Sequence, residues 1–251
     1  MNFDMISLCK DKHRINLALS SVQGSVFIAD NIRLYLDSYG TEYEFIQFYL
    51  QYSDEDSNIT AAVMRYNNQV YALVDNTANL DELSAFISGF EDCSVFADEV
   101  LKLYFNDYKT CYTFCREGAE PNDIPENINI EESAKCVADL VAQDCDEESR
   151  LDFFLNTAHQ MRHNLISVYG YYAENKLASV VSVSKSYDGI REITFVYTDE
   201  YFRGNGIAAK LLSAACCDVN DKYILLCEEH NVKFYEKCGF SQLSSCIEFH
   251  L

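Results

Sequence analysis

The stretch from Glu192 to Leu212 restricts the fold of this chain more than any other. Ile193, Phe195 and Tyr197 alternate with Glu192, Thr194, Val196 and Thr198, the period of a strand rich in β-branched and aromatic side chains. On this alternation Glu192, Thr194 and Val196 share one face. A short Gly-rich loop follows, Arg203-Gly204-Asn205-Gly206. From Ile207 the spacing turns helical, with Ile207, Leu211 and Ala214 on one side and Ala208, Leu212 and Ala215 next to them. Strand, Gly-rich loop and helix in that order aim the unpaired N–H groups of a helix start into a loop with few Cβ atoms. Such a site holds a phosphate group by main-chain donors and the helix dipole.

Two common phosphate loops fail here. No Gly-Lys-Ser/Thr ending is present, and Ala209 stands where the third glycine of G-x-G-x-x-G belongs. The loop does resemble the Arg/Gln-x-x-Gly-x-Gly/Ala signature of the GNAT acyltransferase superfamily, as Arg203-Gly204-Asn205-Gly206-Ile207-Ala208. Further along, Phe234-Tyr235-Glu236-Lys237-Cys238-Gly239-Phe240 is similar to that superfamily's second landmark, a Tyr just before a Lys-x-Gly-Phe ending. The preceding strand, the following helix and the later Tyr block fall in the right order.

Composition sets the outer limits. The 251 residues, 49% hydrophobic, suffice for one large or two ordinary globular domains. Apolar runs fall well short of the roughly 18 residues of a membrane span, and the start lacks the basic and apolar regions of a signal peptide, so a cytoplasmic location is expected. Eleven cysteines without repeated spacing read as reduced thiols, and the absence of two paired clusters argues against a structural metal. The formal charge of −21, from 40 acidic and 19 basic residues, excludes nucleic acid as a natural partner. Such acidity suits a cationic substrate, and it serves solubility equally well.

Along the chain, Lys12–Ser21 reads as a helix and Ser25–Ile28 as a short strand. Tyr43–Tyr52, Ile59–Tyr66 and Val70–Val74 read as a meander, the last two joined through Asn67-Asn68. Asp81 opens a helix with Leu83, Phe86, Ile87 and Phe90 inward, and Ser94–Ala97 returns as a strand. Glu117–Asn129 holds both prolines and marks the domain boundary, dividing the chain into 1–124 and 125–251. Beyond it come helices over Glu132–Gln143 and Glu147–His159, the second with Leu151, Phe154, Leu155 and Ala158 on one face. A hairpin of Ile166–Tyr172 and Leu177–Ser184 turns at Glu174-Asn175. The whole is an α/β protein with a mixed sheet. The order of elements after Ile128 is similar to a complete GNAT domain, and the N-terminal half looks like a second GNAT-like lobe without a cofactor loop. An unrelated α/β domain completing the substrate cleft is the alternative.

The resemblance implies acetyl-CoA as acyl donor and no metal. Residues Arg203, Gly204, Asn205, Gly206, Ile207 and Ala208 would hold the pyrophosphate, and the main chain of Val196 and Thr198 would pair with the pantetheine arm as an added strand. Arg203, Lys210, Lys233 and Lys237 would offset the chain's acidity around this polyanion. Direct attack by an amine needs a base, because an alkyl amine with a pKa of about 10.4 is protonated at neutral pH. Tyr235 matches the general-acid position that protonates the departing thiolate. Glu192 is the candidate base, directly or through water, the alternative being an exposed strand-end carboxylate. Many members carry Asn at the start of the last helix, where this chain has Glu228, which leaves Asn231 as the nearest candidate for that cofactor contact. Asp199 stands where relatives often have Pro, giving a less rigid turn. The acceptor is a small-molecule or peptide amine, and the C-terminal strand leaves a homodimer open. A non-catalytic acyl-CoA sensor or scaffold is the rival reading.

Overall fold

The computed structural model describes residues 5–53, 58–120 and 126–251. The elements run β1 (Ile6–Leu8), α1 (Lys12–Ser21), α2 (Val26–Tyr39), β2 (Ile46–Tyr52), β3 (Ile59–Tyr66), β4 (Gln69–Val74), α3 (Leu80–Ile87), β5 (Ser94–Asp98) and β6 (Lys109–Glu117). They continue with β7 (Ile128–Ile130), α4 (Ala134–Val141), α5 (Glu147–Arg162), β8 (Ile166–Ala173), β9 (Lys176–Ser184), β10 (Ile190–Thr198), α6 (Ile207–Ala215), β11 (Lys222–Cys227), α7 (Val232–Lys237) and β12 (Ser241–His250). Two compact units result. One takes the chain up to Thr113 together with Leu226–His230 and Gln242–Leu251, and the other takes Phe114–Leu225 and Asn231–Ser241. The expected boundary between residues 124 and 125 lies outside the described residues. Among the described residues, no helix is long and apolar enough to cross a membrane.

In the first unit the sheet order is β1-β2-β3-β4-β5-β12, with β4 and β5 parallel and the other neighbours antiparallel. The turn between β3 and β4 is tight, because Asn67 takes φ 49° and Tyr66 pairs with Gln69 across it. The segment read as a strand at Ser25–Ile28 is the start of α2 instead. Val26, Phe27 and Ile28 mimic a strand, but the helix is buried on several sides, with Phe27, Ile28, Asp30, Asn31, Ile32, Leu34, Tyr35 and Leu36 all inside, so it shows no clean apolar stripe.

Asp98, at the end of β5, ties this unit together. One carboxylate oxygen accepts from Ser25 N at 2.7 Å, just before α2, and the other from Val74 N at 2.8 Å, at the end of β4. Burial pushes the Asp98 carboxyl up to about 6 despite those two donors. The folded chain therefore keeps a proton on Asp98 between pH of about 4 and 6 that the unfolded chain has released. This group's contribution to stability falls as pH rises through that window, by about 3 kcal/mol in all. A carbon-detected NMR titration of the Asp98 carboxyl is expected to show a midpoint near 6; a midpoint near 4 would remove the effect.

In the second unit the order is β7-β8-β9-β10-β11, antiparallel except for β10 beside β11. The hairpin between β8 and β9 turns through Glu174 (φ 51°) and Asn175 (φ 62°). The helix α6 buries Ile207, Leu211, Leu212, Ala214 and Ala215, each large side chain adding about 1.5–3 kcal/mol. In helix α5 the apolar residues that share a face are only partly covered. Its fully buried residues are Thr157 and Gln160, while Leu151 and Leu155 are each 53% exposed.

Candidate functional site

The site grows from β10. Its pairing with β11 covers Ile190↔Lys222, Arg191↔Tyr223 and Glu192↔Ile224, and there it stops. The Arg191 side chain clamps this closed end, with Nε on Asp221 and Nη2 at 3.5 Å from Asp218. Among the described residues, β10 beyond Glu192 has only β9 as a strand partner, so its other edge carries unpaired ladder groups. Orientation follows from two bonds. Asp199 N donates to Ala178 O, and Ser179 Oγ donates to Tyr197 O, so the main chain of Tyr197 and Asp199 points at β9. By strand alternation, the N–H and C=O groups of Val196 and Thr198 point to the open edge.

A bulge interrupts this strand. Ile193 pairs with Val183 and Phe195 with the adjacent Ser182, which leaves Thr194 as the extra residue, its Oγ1 bonded to Ser182 Oγ at 2.8 Å. The extra residue reverses the alternation, so Glu192 does not share a face with Val196 as the sequence suggested. It lies instead on the face of Phe195 and Tyr197. That face receives α4 and α5, because Phe153 packs on Phe195 at 5.5 Å and Gln143, just beyond α4, donates to the Tyr197 hydroxyl at 2.8 Å. Glu192 itself is 3% exposed, which rules out the exposed strand-end carboxylate, and its N–H donates to Ser184 Oγ at 2.8 Å.

The loop that follows is open. Asp199 caps it, accepting from Tyr201 N at 3.0 Å and pairing with Lys176 at 3.3 Å; the Tyr201 N–H chiefly, with Lys176, holds its carboxyl below the ordinary range. A carboxylate thus fixes the turn that Pro would otherwise stiffen. Gly204 (φ 79°) and Gly206 (φ 72°) both need the left-handed region, and a Cβ built on either would meet nothing within 4 Å. Gly206 is the N-cap of α6 and supplies no side-chain cap, so the first N–H groups of α6, from Ile207 and Ala208 onward, face the open cradle. Asn205 secures the loop through Nδ2 to Phe202 O at 3.1 Å. Arg203 folds back, donating from Nε to Thr198 O at 2.9 Å with its guanidinium 5.8 Å from the Tyr197 ring centre. It occupies one of the outward carbonyls rather than reaching into the cradle.

Tyr235 sits on a separate element, α7, and is 9% exposed. Its ring meets Phe234 at 5.0 Å and Phe240 at 5.9 Å, and its carbonyl accepts from Phe240 N at 3.0 Å. Arg116 holds the far end of this block, donating to Cys238 O at 3.0 Å and lying 5.5 Å over the Phe240 ring. A guanidinium at a helix C-terminus also offsets the carbonyl end of the dipole. Replacing Arg116 by Met is expected to cost about 1–2 kcal/mol in urea unfolding, from the lost bond and cation–π contact. No measurable change would show that this end of α7 is held otherwise. Asn231 immediately precedes α7 and makes no side-chain cap bond. Thr194, Gln143 and Arg116 were not legible as site residues, since a bulge leaves no mark on an unbroken alternation and the other two act across the fold. Among the described residues, no group of three or more His, Cys, Asp or Glu side chains could hold a metal ion.

Residues 165–242 match the family model described as acetyltransferase (GNAT) domain. No curated protein matches the sequence. Solved structures resemble it over nearly its whole length. A putative acetyltransferase from Pyrococcus horikoshii has a TM-score of 0.60 at 14% identity, covering 100% of this chain and 90% of that one. A GCN5-related N-acetyltransferase from Sphaerobacter thermophilus has a TM-score of 0.59 at 12% identity, covering 98% and 96%. A tandem GNAT protein from the clavulanic acid biosynthesis pathway has a TM-score of 0.58 at 12% identity, covering 98% and 97%. At such identities the likeness is one of fold, and it extends to both halves of the chain.

Proposed function

We infer that this chain, whose residues 165–242 match the acetyltransferase (GNAT) domain model, moves an acetyl group from acetyl-CoA to a primary amine. The observation that carries the inference is the open edge of β10, running from the end of its pairing at Glu192 into an uncapped helix start at Gly206. An extended diamide fits beside such an edge, and a pyrophosphate fits at its end. The outward N–H and C=O of Val196 and the N–H of Thr198 supply the strand-like bonds to the pantetheine arm. For the Thr198 carbonyl to join them, Arg203 must release it. The loop from Arg203 to Ala208 then receives the pyrophosphate on main-chain donors, and each charge-assisted bond contributes about 1.5–3 kcal/mol. Asn231, just ahead of α7, is assigned as a further cofactor contact by the same reading.

Acetyl-CoA supplies an activated acyl group on a thiolate leaving group. Glu192, on the face it shares with Phe195 and Tyr197, takes a proton from the acceptor's ammonium, directly or through water, and the neutral amine then attacks the thioester carbon as the carbon–sulfur bond breaks. Tyr235 gives a proton to the departing sulfur and is the general acid. The acceptor is read as a cationic small molecule or peptide, in keeping with the charge of −21. Eleven free cysteines fit a reducing, cytoplasmic setting.

The test is calorimetric titration of the full chain with CoA and with acetyl-CoA, followed by thiol release across a panel of polyamines, amino acids and lysine peptides. Micromolar binding with acceptor-dependent thiol release is the expected result. Binding without release from any amine would favour a sensor, and a folded protein that binds neither ligand would end both readings.

A further inference from the structure

The helix α5 points to a second ligand site. Thr157 and Gln160 are its buried residues, whereas Leu151, Phe154, Leu155, Ala158 and Met161 follow one another at three- and four-residue spacing, Leu151 and Leu155 exposed and the other three half-buried. The second half of the stripe does not end in solvent. Phe154, Ala158 and Met161 form one wall of a cavity of about 470 Å³, closed on the other side by Ile130, Ile166 and Val168 of the β7–β8 edge. That volume lies in the range of small-molecule sites.

The groups left free at the cavity decide what it takes. Two cations line it, Lys135 and Arg162, and among the described residues neither has an ion-pair partner. Two carboxylates line it as well. Glu131 is consumed, accepting from Ser133 N at 2.7 Å and from the Tyr172 hydroxyl, and it is 6% exposed. With both Glu131 oxygens engaged, the charged groups left free to meet a ligand at the mouth are Lys135, Arg162 and Glu132. Arg162 is held there by the last turn of α5, where a positive charge is favoured by the helix dipole without being neutralised.

We propose that this cavity binds an amphipathic anion, a carboxylate with a linear apolar tail, with the head on Lys135 and Arg162 and the tail along Met161, Ala158 and Phe154. From Arg162 back to Phe154 the helix rises about 12 Å, room for an extended medium-length chain. The site is separate from the open edge of β10, and its occupancy does not depend on the acetyl-transfer reading.

The experiment is calorimetric titration of the full chain with decanoate, decanol and decylamine, each repeated in saturating CoA so that binding in an acyl-donor site is recognised by competition. Decanoate is expected to bind with CoA present, at least tenfold more tightly than decanol, and decylamine not at all. Lys135→Glu with Arg162→Glu should weaken decanoate at least tenfold, and Ala158→Trp should abolish it by filling the cavity. If Ala158→Trp does not fold, Phe154→Asp at the same wall is the substitute. Absence of decanoate binding, its displacement by CoA, equal binding of decylamine, or retention in the filled variant would each overturn the proposal.

Discussion

Gly206→Trp is expected to abolish CoA binding while leaving the fold intact, with a Kd weakened by more than about 100-fold, equivalent to about 3 kcal/mol. The size follows from what the loop contributes. If Ile207, Ala208 and their neighbours hold the pyrophosphate by main-chain N–H groups, losing two charge-assisted bonds already reaches that figure. The retention of the fold follows from the geometry of the glycine. A Cβ at Gly206 meets nothing within 4 Å, so the indole enters the cradle rather than the core. Left-handed strain at φ 72° adds about 1–2 kcal/mol, within the stability of an ordinary domain. Calorimetry of CoA binding beside a circular-dichroism melt separates the two effects. A folded variant that binds CoA within threefold of the parent would remove the loop from the site.

The second large effect belongs to Tyr235→Phe. The substitution keeps the ring that packs on Phe234 and Phe240 and removes only the hydroxyl. If that hydroxyl protonates the departing thiolate, kcat should fall by about 10²–10⁴-fold, or about 3–5 kcal/mol, with the Kd for CoA unchanged. The loss should be smaller for a thioester whose thiol is more acidic, since such a leaving group needs less help. A Tyr235 whose part is packing alone would show unchanged kcat and lower stability, and thermal melting decides between the two.

The order of strand, Gly-rich loop and helix from Glu192 to Ala215 was legible because each element depends on local rules. Alternation, positive φ at glycine and helical spacing are all set by neighbours in sequence. The hairpins at Asn67-Asn68 and Glu174-Asn175 were legible for the same reason, residues tolerant of left-handed backbone being placed between apolar runs. The helix α2 was not, because burial on several sides erases the periodicity that reveals a helix, and Val26-Phe27-Ile28 then reads as a strand. For α5, spacing showed which residues share a stripe and could not show which way the stripe points.

The same division holds at the site. The sequence by itself determined that a Gly-rich loop opening a helix lies between Thr198 and Ile207 and that a Tyr follows in the α7 block. Only the tertiary structure decided that β10 parts from β11 after Glu192, that a bulge at Thr194 carries Glu192 onto the face of Phe195 and Tyr197, and that Arg203 closes on Thr198. Each of these is a relation between strands or across a turn. Pairing register, edge exposure and side-chain partners are settled by what packs alongside, and no window of neighbouring residues contains that information.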